Sequence, residues 1–516
     1  MADDLTPEET GLLNKAKQER HRRRRRRLVV GLGGSLLVVV GLLFAAFAYD
    51  LYWQHRVKAK DAQLRAQGKL LTAQEILARD KDLPPGKNSA LVYLEAFRLL
   101  RDEKEMWVVD SLPASDPIGV RPSAQTVALI SSEAKADSLG LETILRASSL
   151  EEGCYPLKPA ASLWDLDLSY CQELRRAARL CSRVAVLHAA AGRPADAAPY
   201  LLAGLGLASS LGHKPLVIEV LVRIAADAIA TSALEHSLAL CQLAPEDLKK
   251  LQAALDRERS GLSLGSALAS ERSAAHHAFE RMVGDVTSAL QGQGLSRWYG
   301  VVPGWRERDE LFYDSAMDEM ERIVALSPRQ ALAQMNGYSA ALGPRMVGTF
   351  PRPVVSAILL EGLPRCLTQE AAAKMQLSVA AAGLAAERYR LKNGRWPEAL
   401  EQLVPEFLDA VPEDFFAAGK VHYLRTETGV TVYSVGEDGH DDGGISLDEA
   451  RNAGQSSAHD RPFRLLNPEL RGAKTMTFRE EVFGAHLEKQ DLKAAGLDED
   501  ALKRLGLTDE DLKALR

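Results

Sequence analysis

Leu28 to Ala48 reads LVVGLGGSLLVVVGLLFAAFA, 21 residues without a charge. At a helical rise of about 1.5 Å per residue this run spans a hydrocarbon core of about 30 Å. Lipid offers no partner to backbone N–H and C=O groups, so such a run crosses a membrane as a helix. Tyr49, Tyr52 and Trp53 follow directly, and amphipathic rings favour the headgroup region. Lys15, Lys17, Arg20 and Arg22 to Arg27 supply nine positive charges on the N-terminal side. The positive-inside rule then predicts an N-terminus in the cytoplasm, with everything after Trp53 on the periplasmic or extracytoplasmic side. Arg56, Lys58 and Lys60 weaken that contrast without reversing it. A cleaved signal peptide is the rival reading, since Ala46-Phe47-Ala48 fits a small-x-small cleavage site. The apolar run exceeds the usual core of about 7–15 residues, which favours an uncleaved inner- or plasma-membrane anchor. Both readings deliver the bulk of the chain to the same side.

The 516 residues are 46% hydrophobic and 26% charged, as folded protein is, and suffice for two or three domains. A net charge of -6 gives no reason to expect a nucleic-acid partner. The basic charge is concentrated in Arg22 to Arg27; alone it would suggest phosphate binding, but the apolar run behind it makes it a membrane flank. The five cysteines are widely spread with no CxxC pair, and are expected to be buried free thiols.

The expected organisation is a basic tail (1–27), a transmembrane helix (28–49), a helical stalk (50–86), a large all-helical domain (87–366), a small α+β domain (367–470) and a helical C-terminal tail (471–516). The fold class is therefore mainly α. Ala90, Leu91, Tyr93, Leu94, Phe97 and Leu100 share one helical stripe. Long helices are predicted over Leu163–Ala191, Ala195–Leu211 and Pro215–Leu240, with Gly192-Arg193-Pro194 as a tight break. Short turns between helices predict antiparallel neighbours. The string LHAAAGRPADAAPYLLAGLGLA resembles a tetratricopeptide-type hairpin, but without a 34-residue period the domain is read as irregular or solenoid-like. The tail repeats LKAAGLDED, LKRLGLTDED and LKALR at a period of ten, which suits a solvated helical cap or a docking peptide.

Motifs for catalysis are few. Gly261-Leu262-Ser263-Leu264-Gly265 matches the GxSxG elbow, but that elbow needs a preceding strand, and a helix is predicted there. His276, His277 and Glu280 lie on one predicted helix, with His276 and Glu280 four apart on one face. They carry the alternative reading, a hydrolase with its site in the helical domain. No third ligand stands at a recognised spacing. The better candidate is the acidic loop GEDGHDDGG, where Asp438, Asp441 and Asp442 offer hard oxygens and four glycines allow a tight wrap. Calcium takes six to eight such oxygens, many from backbone carbonyls. The spacing is not that of an EF-hand.

Glu387-Arg388-Tyr389, Asn393-Gly394-Arg395-Trp396-Pro397, Val411-Pro412, Tyr433-Ser434-Val435-Gly436 and Asp438-Gly439 through Gly443-Gly444 occur in that order. This stretch, roughly 375–460, resembles the periplasmic domain of the major pseudopilin of type II secretion. The resemblance implies a helix, a small antiparallel sheet and a calcium-binding loop to which Asp438, Asp441 and Asp442 contribute. The departures are large. A prepilin-peptidase site is lacking, since Arg22 to Arg27 precede the apolar helix, and some 340 residues separate membrane from module. Glu413-Asp414-Phe415-Phe416 replaces the family's "DPWG", and Ala458-His459-Asp460-Arg461 is a distant echo of its closing "DI-x-W". The expectation is a non-enzymatic envelope scaffold or interaction protein with a calcium-stabilised module, with protein partners in secretion or envelope assembly. A cytoplasmic adaptor of reverse topology is the third reading.

Overall fold

A computed structural model describes residues 7–78, 83–101, 118–150, 152–157, 165–212, 216–289, 299, 302–347, 352–452, 460–484 and 498–515. The chain forms two compact units, one of Met1–Gly68, Ala278–Tyr313 and Thr349–Ser356, the other of Lys69–His277, Asp314–Gly348 and Ala357–Arg516.

In the first unit a single helix runs from Pro7 to Ala66, carrying the basic run, the apolar run and the first part of the expected stalk without a break. Among the described residues it is the one helix long and apolar enough to cross a membrane, and its apolar side chains stand exposed. It is consistent with a single-pass anchor. Just past the apolar run, Trp53 packs edge-on against Tyr49 and Tyr52, with ring centroids 6.1 and 5.2 Å apart. Asp50 accepts a hydrogen bond from the Gly304 amide at 2.9 Å, and the Arg308 guanidinium lies 5.4 Å over the Trp53 ring. Gly304 sits at φ 69°, where a side chain would run into Trp53 and Tyr49. Asp309 ties Tyr299 and the amides of Val354 and Val355 together, each at 2.8 Å. The aromatic end of the apolar helix is thus clasped by Gly304 and Arg308.

The second unit is mainly helical. Helices Tyr170–Ala190 and Pro194–Ser209 pack as a hairpin through Gly192 at φ 69° and Pro194 in the first helical turn. The expected start at Leu163 lies outside the described residues. Helices Val217–Leu240 and Pro245–Gly261 extend the stack. Helix Leu363–Asn393 then enters it; between Met375 and Ala386 it is apolar and buried on nearly every side, enclosed by the rest of the unit. It stops at Gly394 with φ 72°, a left-handed position that glycine adopts without strain.

Three strands cover one side of this helix. β1 is Val120–Arg121, β2 His422–Arg425, β3 Gly429–Ser434, β4 Arg461–Leu466 and β5 Lys474–Thr475. The sheet order is β2-β3-β4, all antiparallel, with Val432 opposite Tyr423 on one side and Phe463 on the other. Leu251 and Leu255 of the helical stack, Leu377 and Leu384 of the long helix, and Val432 and Phe463 of the sheet belong to one buried cluster. Helices and sheet therefore share a core.

The C-terminal tail folds back. β5 pairs parallel with β1, and Glu481 accepts from the Ser123 amide and from the hydroxyls of Ser123 and Thr126, all near 2.6 Å. Leu502, Leu507, Leu512 and Leu515 of the repeat are buried with Phe478 and Val482, against Leu129. Each repeat leucine that follows an acidic helix start thus faces the chain's own helical domain. The five cysteines are free and buried, and burial pushes the Cys171 and Cys181 thiols up to about 12, which leaves them unreactive.

Candidate metal centre

The acidic loop is built on a buried carboxylate that sequence reasoning passed over. Asp414 accepts from the Ser434 hydroxyl and the Val435 amide, both at 3.0 Å, and from the Phe416 amide at 2.9 Å. That fastens the end of β3 to the 411–421 segment. The loop then turns through Gly436, Gly439, Gly443 and Gly444 at φ of 71°, 71°, 72° and 81°, a region L side chains rarely enter.

Asp438 is exposed and closes a local turn, accepting from the His440 amide at 3.1 Å. Asp441 is held more firmly. Its Oδ1 accepts from the Tyr433 hydroxyl and the Gly443 amide, both at 3.0 Å, and its Oδ2 lies 3.2 Å from Nδ1 of His422. Burial, followed by Asp441 itself, raises the Tyr433 hydroxyl well above its ordinary pKa, so it stays a donor. Asp442 is half-buried, and its amide donates to Asp460 Oδ2 at 3.1 Å. The side-chain oxygens of Asp438, Asp441 and Asp442 do not gather within 4.8 Å of one another as a set.

Asp460 is the second residue that sequence reasoning missed as a site member. It is 3% exposed, one oxygen accepts the amides of Asp442 and Gly444, and the other oxygen is buried without a hydrogen-bond partner. Burial raises its pKa, the two amides lower it, and Asp442 and Asp441 raise it again, leaving it above the ordinary carboxylate value. The Asp460 oxygen left without a partner is a buried polar group whose desolvation is not compensated within the chain. The donors are all hard oxygens, the set that calcium prefers. The signal for Asp460 in the sequence was faint, a lone acid sixteen residues beyond Gly444.

Behind the loop, a cavity of about 220 Å³ is lined by Asp227, Thr231, Gln376, Glu437 and Arg461. Glu437 and Arg461 pair at 2.8 Å across it, so the acidic loop forms part of its wall.

The other sequence candidates lie in the helical region. Gly261 ends one helix and Leu264 begins the next, so the GxSxG string has no strand before it. His276 Nε2 lies 2.9 Å from Asp314, which also pairs with the fully buried Arg272 at 3.0 Å. His277 Nε2 is buried without a hydrogen-bond partner. The Glu280 side chain lies outside the described residues.

No protein-family model matches the chain, and neither any curated protein nor any solved structure does.

Proposed function

We propose that the protein is a non-enzymatic envelope scaffold, anchored by its N-terminal helix with the bulk of the chain on the periplasmic side. Its C-terminal α+β region serves as a pseudopilin-like interaction module stabilised by calcium, for partners in secretion or envelope assembly. The observation that carries the reading is Asp460, buried with one oxygen unpartnered beside the amides of a glycine-rich acidic loop. The oxygens of Asp438, Asp441 and Asp442 do not converge in this structure, so these residues with Asp460 would hold the ion only once the glycine-rich loop tightens around it, with backbone carbonyls as the remaining ligands. The ion would neutralise the cluster and fix the loop; no bond making or breaking is assigned to it. A rigid loop on a sheet fused to a helical core suits recognition of another protein.

The experiment is thermal melting of the detergent-solubilised full chain in calcium and in chelator. A site filled at a hundred times its Kd stabilises the wild type by about 2.7 kcal/mol. Asp438→Ala, whose side chain makes one local hydrogen bond, should lose the calcium shift yet melt like wild type in chelator. Asp460→Asn should lose the shift as well. Identical wild-type melting curves with and without calcium would sink the proposal.

A further inference from the structure

The basic run is more than a topology signal. Successive helical residues are rotated by about 100°, so Arg22 to Arg26, in one unbroken helix, point in every direction around its axis. Their exposed side chains form a collar rather than a stripe, about 7.5 Å tall. A protein groove or a nucleic-acid groove engages one face of a helix and would leave half of such a collar unused. A ring of lipids engages all of it.

The depth of the collar is set from both ends. Leu28 follows the arginine run without a spacer, and the apolar run matches the hydrocarbon thickness. At the far end Tyr49, Tyr52 and Trp53 mark the opposite interface, and Asp50 and Trp53 are clasped by Gly304 and Arg308. An apolar run of membrane thickness between basic and aromatic flanks sets the depth of the helix. The guanidinium groups stand at headgroup level, where phosphates are, and a planar fork pairs with a phosphate through two hydrogen bonds at once.

We infer that Arg22 to Arg26 form an annular binding site for anionic phospholipids, selecting net-negative headgroups over zwitterionic ones around the cytoplasmic end of the anchor. The inference rests on the anchor reading of helix Pro7–Ala66. Clusters of four to eight basic residues beside a span bind acidic lipid by this electrostatic route, and the binding weakens with salt. Lys15, Lys17 and Arg20 lie up to about 10 Å further along the helix and add a longer-range field.

The test is retention of phosphatidylglycerol against phosphatidylcholine by the full chain in mixed micelles, read by native mass spectrometry. Wild type should retain phosphatidylglycerol about tenfold over phosphatidylcholine. Replacing Arg22 through Arg26 with glutamine should bring the ratio close to one, and added salt should lower the wild-type ratio. Equal retention by wild type, or an unchanged ratio in the glutamine variant, would overturn the site. Alkaline carbonate extraction of native membranes separates this from the anchor itself. A wild type that resists extraction but shows no lipid preference loses only the lipid site, whereas one that is extracted loses both.

Discussion

Arg471 holds Glu387 with both ends of its guanidinium, Nη1 to Oε1 at 2.8 Å and Nη2 to Oε2 at 2.9 Å, across 84 residues of chain. Glu387 has no exposed side-chain surface and also receives Arg390, at 2.7 and 2.9 Å. The pair joins the last turns of the long helix to the strand-end segment from which the tail departs. Four parallel hydrogen bonds on one carboxylate make it the most fully satisfied buried charge in the module.

Removing Arg471 takes away two charge-assisted hydrogen bonds and leaves Glu387 paired with Arg390 alone. Arg471→Met should therefore cost about 1.5–3 kcal/mol, read from urea unfolding. Burial alone would raise the Glu387 pKa, but the hydrogen bonds and charges of Arg390 and Arg471 outweigh it and the pKa falls below 4.5. A carboxylate depressed in the folded state stabilises above its unfolded pKa and loses that contribution as pH falls through the folded value. Stability from this pair should hold at neutral pH and fade below about pH 4.5. The acid limb of the wild-type curve should be shallower in Glu387→Gln.

Two glycines in helices should respond in opposite directions to alanine. At Gly383 an added Cβ would strike the Phe463 ring, which is fully buried and has nowhere to go. Overpacking there should destabilise by about 1–3 kcal/mol. Gly337 has nothing within 4 Å of its Cβ position. Alanine there should stabilise by about 0.5–1 kcal/mol through helix propensity alone. Equal shifts at both sites, measured by chemical unfolding, would contradict the close helix–sheet contact.

Asp227 is 2% exposed, and neither carboxylate oxygen has a hydrogen-bond partner. Burial raises its pKa strongly, Glu258 adds to the shift, and Arg223 opposes it while pairing with Glu258. A carboxyl raised in the folded state contributes stability below its unfolded pKa, and that contribution is lost as pH rises towards the folded value. Asp227→Asn should accordingly stabilise the chain at neutral pH, with the gain vanishing below about pH 4. A variant less stable than wild type at pH 7 would show that a partner for Asp227 is being lost.

Much of the local structure was legible. The break at Gly192-Arg193-Pro194 and the stop at Gly394 needed only the conformational freedom of glycine and the fixed φ of proline. Amphipathic periodicity located the helices for the same reason, since each must bury one face. The candidate site was half legible. Asp438, Asp441 and Asp442 were visible because they cluster in sequence. Asp414 and Asp460 were not, because each lies some twenty residues from the loop and is brought to it by strand pairing. His276 misled in the opposite way, as its partner Asp314 is 38 residues distant.

By itself the sequence determined a membrane-length apolar helix with a basic collar, a succession of amphipathic helices, and an acidic glycine loop. These are set by composition and by spacing within one turn or one loop. Tertiary structure alone decided that sheet and helices share a core, that the repeat leucines of the tail turn inward, and that Glu387 meets Arg471. It also decided that Asp460 is buried with an oxygen unpartnered. Burial and pairing depend on which distant segments pack together, and that is a property of the whole fold.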